Sequence, residues 1–237
     1  MPSVPASGAK GCPDCACQAQ CLLGQQRESS RASWIALVTE RSFRKGDVLT
    51  QQGSHSTAFQ TIKVGAALAL RAGEDGVAHP VAILGHGQPL DSAALLRQPA
   101  QLSMQALSAG RLCEVAVAPA LEQGLLNAEF LQGLAHSHAQ SAAWVADWAR
   151  VLRIRGALGQ LAGALLQLAQ AQRSTLVRLP SHTVLAALLA TTRETIARTL
   201  RQLAEQECLI RHDRWYCEIQ RSRLLALTQG LGSNQKI

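Results

Sequence analysis

Residues 191–203 read Thr191-Thr192-Arg193-Glu194-Thr195-Ile196-Ala197-Arg198-Thr199-Leu200-Arg201-Gln202-Leu203. Thr191 or Thr192 can cap a helix by accepting from the backbone N–H groups of its first turn. Ile196, Leu200 and Leu203 recur at i, i+4 and i+7 and define a buried face. Glu194, Ala197, Arg198 and Arg201 fall on a different, exposed face, and Arg193 opens the helix. A guanidinium carries a donor fork that matches O6 and N7 of guanine, and a carboxylate accepts from N4 of cytosine. Both groups within the first two turns suit a helix that enters the major groove end-on. The competing reading is a Glu194–Arg198 ion pair on a solvated helix, worth a few tenths of a kcal/mol.

The flanking sequence supports the first reading. Ser181 caps a preceding helix that runs through Leu189. Downstream, Leu209-Ile210, a His212-Asp213 turn and Trp215 to Ile219 read as a hairpin. Two helices joined by a tight turn and followed by a hairpin make a winged helix-turn-helix. Cys208 and Cys217 are equidistant from that turn and are expected to face each other across the wing as apolar side chains. Upstream, Leu158, Leu161, Leu165 and Leu168 form one apolar stripe. Thr175-Leu176-Val177 is too short to assign, and Pro180 ends whatever precedes it.

Ala128 to Arg155 form a longer helical pattern. Leu131, His138, Val145 and Leu152 recur every seven residues, with Leu134, Ser141 and Trp148 three positions after the first three. This is a heptad seam weakened by His138 and Ser141. It is expected to be a dimer contact through Leu131, His138, Val145, Trp148 and Leu152; the alternative is a helix packed on its own domain. Residues 41–118 read as short strands. Ile62, Val64, Ala66, Leu68 and Leu70 alternate with period two, Gly73-Glu74-Asp75-Gly76 supplies a turn, Val81 and Ile83 start another strand, and Val115 and Val117 alternate again. The expected class is α+β. It comprises an arm over 1–30, a β-roll over 31–127, a long dimerisation helix over 128–155, a winged helix-turn-helix over 156–230 and a tail over 231–237.

Composition agrees with this division. The chain has 237 residues, 47% of them apolar and only 3% aromatic, so Leu, Ala and Val must build the core. The longest apolar run, Val184 to Ala190, is seven residues, too short to span a bilayer. No apolar signal segment opens the chain, which points to a cytoplasmic protein without membrane contact. The formal charge is +7 and lies wholly at the back: residues 1–145 carry ten basic and ten acidic side chains, and residues 146–237 carry thirteen and six. A neutral front and a basic back suit a back half that meets a polyanion. The histidines pair with no plausible nucleophile and no Gly-rich phosphate loop is present, so an enzyme is not expected.

Seven cysteines remain: Cys12, Cys15, Cys17, Cys21, Cys113, Cys208 and Cys217. An odd number in a chain without an export signal argues against a disulfide framework. Four of them lie within ten residues, in a stretch rich in Gly, Pro, Ser and Gln with almost no large apolar residues. Such a segment cannot pack alone. Metal or redox chemistry is the expected use of its thiols.

Leu185 to Leu203 resembles the helix-turn-helix of the CRP/FNR superfamily of bacterial transcription regulators, whose run Arg-Glu-Thr-Ile/Val-x-Arg is matched by Arg193 to Arg198. Phe43-Arg44-Lys45-Gly46-Asp47-Val48-Leu49 with Gly53 resembles the opening of that family's β-roll, and Lys63-Val64-Gly65 its next strand. The similarity covers roughly residues 35–228. It implies a roll that senses, a helix that dimerises and a winged helix that binds a palindromic site on double-stranded DNA, with RNA polymerase as a further partner. Where the family often has Gly in the turn, this chain has Ala190; a left-handed alanine costs about 1–2 kcal/mol, so a slightly different turn is expected.

The resemblance also bears on the signal. Cyclic-nucleotide members hold the ligand phosphate with a Glu and an Arg; the corresponding positions here are Ser92 and Ser103, neither of which can neutralise a phosphate. No cyclic nucleotide is expected. Cys12, Cys15 and Cys21 have the spacing C-x2-C-x5-C, which looks like the oxygen-sensing FNR branch, and Cys113-Glu114-Val115 fills the place of its distant cysteine. That branch implies a [4Fe–4S] cluster on Cys12, Cys15, Cys21 and Cys113. Cys17 lies outside the family spacing, as a spare thiol or an alternative ligand. Zinc and free redox thiols remain alternatives. FNR proteins that dissociate on cluster loss carry an acidic residue near the place of Val145, so this dimer is expected to depend less on its cluster. The resemblance further implies half-sites related to TTGAT that tolerate a TGTGA-like sequence.

Overall fold

A computed structural model describes residue 12 and residues 14–229. The chain divides into two compact units, residues 1–78 with 84–142 and residues 79–83 with 143–237.

The first unit opens with turns over residues 14–26 and α1 (Glu28–Leu37). The roll follows as β1 (Val38–Phe43), β2 (Val48–Thr50), β3 (Ala58–Val64), β4 (Ala67–Ala72), β5 (Ala78–Leu84), β6 (Pro89–Asp91), a 3-10 turn (Ala93–Leu96), β7 (Ser103–Ala106) and β8 (Gly110–Ala116). These strands form two four-stranded sheets in the orders β1-β8-β3-β6 and β2-β7-β4-β5. The alternation over 62–70 is not one strand. Gly65 adopts φ +102°, and the chain bends there, passing from the sheet of β3 into the sheet of β4 without reversing direction. A Cβ at Gly65 would lie 3.0 Å from both Phe43 Cζ and Ser108 Oγ, so the turn needs glycine twice over. Val117 likewise leaves the strand pattern and starts α2 (Val117–Glu122).

The described part of the arm is seated by its own apolar side chains. Leu22 and Leu23 are each 3% exposed and join Trp34, Val38, Phe59, Val115, Phe130 and Leu134 in one core. Burying two leucines contributes roughly 1.5–3 kcal/mol apiece. Two large apolar residues thus do what the composition of the arm as a whole did not promise. Trp34 stacks on Phe130 with ring centroids 4.4 Å apart, fixing α1 against α3 (Ala128–Arg153).

The helix α3 has two distinct rows. Phe130, Leu134, Trp144, Trp148 and Val151 are buried, whereas Leu131 is 47% and Leu152 42% exposed. His138 is exposed and Val145 half-buried on the same seven-residue row. Trp148 therefore belongs to the chain's own interior rather than to the expected seam.

The second unit continues with α4 (Gly156–Gln172), β9 (Leu176–Arg178), α5 (His182–Leu188), α6 (Arg193–Glu205), β10 (Leu209–Arg211), β11 (Tyr216–Ile219) and α7 (Arg221–Thr228). Leu161, Leu165 and Leu168 of α4 are buried, as their stripe requires. The short Thr175-Leu176-Val177 segment supplies β9, an edge strand paired antiparallel to β11 in a three-stranded sheet. Its partner lies some forty residues on, beyond the reach of local periodicity. Cys208 and Cys217 do not face each other: Cys217 pairs with Arg211, and Cys208 accepts at its carbonyl from the Gln220 N–H. The turn is centred farther along than His212-Asp213, which displaces the register. Both side chains are buried and form no disulfide.

Candidate thiol site and nucleic-acid interface

Cys113 sits in the middle of β8, opposite Glu40 of β1 on one side and Thr61 of β3 on the other. The arm brings its own cysteines to this spot through consecutive turns. The Cys15 N–H donates to the Cys12 carbonyl at 3.2 Å, and the Cys21 N–H to the Cys17 carbonyl at 2.9 Å. Cys12, Cys15, Cys21 and Cys113 then line one cavity together with Thr61, Lys63 and Gly24. Cys17 lines it as well; it is 4% exposed, and its Sγ donates to the Lys63 carbonyl at 3.3 Å. The cavity is small, with about 20 Å³ of free space, and it is partly open to solvent. Among the described residues, no three Cys, His, Asp or Glu side chains are arranged to hold a single metal ion.

Burial governs the thiols. It pushes Cys113 up to about 12, with the Cys21 thiol adding to the effect and the Lys63 ammonium opposing it. Burial also raises Cys12, reinforced by Cys21 and Cys15. Cys21 is raised by burial against the lowering effect of the Gly24 and Leu23 N–H groups. The buried Thr61 hydroxyl leans toward the Cys21 thiol without reaching full hydrogen-bond geometry. These groups are thiols at neutral pH, and a metal bound among them must displace their protons.

Several residues that no motif identified shape the site. Gly87, at φ +80°, lets the arm lie against the turn before β6; a Cβ there would come 2.8 Å from Gln20 Cβ. A Cβ on Gly24 would run into the Gln18 backbone. On α3, a Cβ at Gly133 would stand 3.2 Å from Leu22 Cδ1. Leu22 follows Cys21 directly, so the thiol site reaches α3 through one side chain. Lys63 and Glu40 form an ion pair at the rim, and Arg111 Nη1 holds the other Glu40 oxygen at 3.1 Å.

Ser92 and Ser103, which the resemblance aligns with charged positions of cyclic-nucleotide members, each make a side-chain hydrogen bond. Ser92 Oγ lies 2.9 Å from His138 Nε2, and His138 remains exposed on its row of α3. Ser103 Oγ accepts from the Gln52 N–H at 2.9 Å.

In the second unit the two helix caps form as the sequence requires. Ser181 Oγ accepts from the Val184 N–H at 3.3 Å, and Thr192 Oγ1 from the Thr195 N–H at 3.1 Å. Ala190 keeps the left-handed conformation, φ +50°, rather than reshaping the turn, and the Thr191 N–H donates to the Ala186 carbonyl at 2.9 Å. Ile196, Leu200 and Leu203 are buried. Arg193, Glu194, Arg198 and Arg201 are exposed, and Ala197 is half-buried among them. Glu194 is held by its own N–H and the Thr192 hydroxyl, which lower its carboxyl below the ordinary value. Its carboxylate thus stands at the helix N-terminus rather than in the competing ion pair with Arg198. At the wing tip, Asp213 accepts from the Tyr216 N–H at 2.7 Å, and the Arg214 guanidinium lies 4.3 Å over the Trp215 ring. Arg211 and His212 are exposed beside them.

Residues 40–122 match the model of the cyclic nucleotide-binding domain, and residues 159–227 match that of the Crp-like helix-turn-helix domain. No curated protein sequence matches the chain. Solved structures share its fold. FixK2 from Bradyrhizobium japonicum superposes with a TM-score of 0.68 at 21% identity, over 80% of this chain and 96% of that one. A CRP/FNR-family transcriptional regulator from Thermus thermophilus gives 0.61 at 20% identity, over 80% of this chain and 98% of the other. The c-di-GMP-responsive regulator CLP of Xanthomonas campestris gives 0.61 at 14% identity, over 82% and 100%. No helix among the described residues is long and apolar enough to cross a membrane.

Proposed function

The chain belongs to the CRP/FNR family of DNA-binding transcription regulators, and from that premise we propose that its signal is oxygen or a related oxidant, read by an iron–sulfur centre on Cys12, Cys15, Cys21 and Cys113. The observation that carries this reading is the convergence of Cys12, Cys15, Cys21 and Cys113 on a single cavity, with Cys17 also in its wall and its Sγ turned to the Lys63 carbonyl. The donor set is right in kind and number, since a cubane cluster takes four thiolates. A [4Fe–4S] group, when bound, supplies an oxygen-labile crosslink between arm and roll. The chain's own residues supply the rest. Leu22 transmits the position of Cys21 to α3 at Gly133, and Leu23 keeps the arm seated in the core. A homodimer would form along the exposed row that contains Leu131, Val145 and Leu152, placing two copies of α6 in successive major grooves of a palindrome. Promoter DNA and RNA polymerase are the proposed partners.

Zinc or thiol oxidation could act on the same architecture. The raised thiols argue against oxidant sensing by the cysteines alone, because an oxidant-reactive cysteine is an accessible thiolate of lowered pKa. A cyclic nucleotide has no cationic partner at Ser92 or Ser103. Purification without oxygen, followed by iron, sulfide and zinc analysis and by DNA binding before and after exposure to air, tests the proposal. Iron and sulfide in equal amounts, with DNA affinity lost in air, is the expected result. Stoichiometric zinc without sulfide would replace the iron–sulfur reading with the zinc one.

A further inference from the structure

Lys63 is the basic residue in the wall of the thiol cavity. The pairing of β3 with β8 is in step up to Ile62 opposite Leu112, then slips so that Val64 meets Arg111. Lys63 is the extra residue of this bulge, a device that re-aims a side chain. The re-aimed side chain is only 12% exposed. Its ammonium is held by Glu40 Oε1, and its carbonyl accepts from Cys17 Sγ. Glu40 is itself directly across from Cys113. The charge of Lys63 is felt by Cys12, Cys15 and Cys113.

We propose that Lys63 is a positioning cation of the thiol site, offsetting the negative charge that gathers when the four cysteines become thiolates, with Glu40 holding it in place and moderating its effect. This inference rests on the iron–sulfur reading above. Four thiolates around a cubane core carry net negative charge, and a half-buried cation beside them is screened less than a surface one. Removing the cation makes electron loss from the site easier. Removing the opposing carboxylate makes it harder.

The test uses full-length protein purified without oxygen and compares the wild type with Lys63→Met, Lys63→Arg and Glu40→Gln. Bound iron and sulfide are measured first, and then the rate at which the iron–sulfur absorbance decays in air. Lys63→Met should decay several-fold faster than wild type, Lys63→Arg close to wild type, and Glu40→Gln more slowly. Opposite signs for the two uncharged variants are the mark of a charge effect; a merely structural role for the pair would speed decay in both. Faster decay in both, or unchanged decay in Lys63→Met, overturns the proposal. If Lys63→Met does not fold, the sign of Glu40→Gln still decides, since faster or unchanged decay contradicts the charge account. A wild type without iron and sulfide defeats the iron–sulfur reading itself, a separate outcome.

Discussion

The helix α6 and the thiol site are built in opposite ways. All that α6 needs lies within fifteen residues: a threonine cap, three apolar residues on one face and a charged opposite face. The thiol site draws on the arm, β1, β3, β8, the Gly87 turn and the Gly133 face of α3. A locally specified element tolerates change elsewhere in the chain. A site gathered from six places is sensitive to any of them.

Leu22→Ala should show the largest effect on the assembled region. Truncating a buried leucine costs about 2–5 kcal/mol, and here it also releases the residue next to Cys21. Thermal unfolding should report the lost stability, and amide exchange should show the arm opening. If the arm stays protected, it is seated by something other than its leucines.

For α6, Arg198→Ala should cost about 1–3 kcal/mol and relax the preference at one base pair. Arg201→Ala should weaken all sequences alike and reduce the salt slope by about 1. Site selection from random DNA followed by salt titration separates the two. Uniform weakening in both would mean that α6 reads no base through Arg198.

Smaller effects are expected at two turns. Gly87→Ala forces alanine into a left-handed conformation, at about 1–2 kcal/mol, and drives its Cβ toward Gln20. The arm should become more open to proteolysis while α6 and its DNA preference stay unchanged. A protected arm in this variant would show that the turn gives way instead. Ala190→Gly works the other way, relieving the left-handed alanine and raising the unfolding free energy by about 1 kcal/mol. A lowered stability would mean that the alanine methyl gains more from packing than the backbone loses.

The same contrast explains what the sequence made legible. Thr192 and Ile196 announce their roles by spacing alone, and the structure keeps both, the first as the cap of α6 and the second in its buried face. The four thiols are legible as a set only because three are close together and the fourth matches a family position. Lys63 is invisible in the sequence, since its direction depends on a bulge between two strands nearly fifty residues apart. Leu22 and Leu23 were masked by the polar composition around them, although only two side chains were needed to anchor the arm. The break at Gly65 was hidden because period two continues through it on both sides. Trp148 shares the seven-residue spacing of the exposed row, yet its position three residues past Val145 carries it to the inner face.

The central claim is that three arm thiols and Cys113 act as one ligand set, with Cys17 outside it. Iron and sulfide should be determined in Cys113→Ser and Cys17→Ser, purified without oxygen beside the wild type. Cys113→Ser should lose the iron–sulfur chromophore, and Cys17→Ser should keep the wild-type content. A full complement in Cys113→Ser, or an equal loss in Cys17→Ser, would contradict the account.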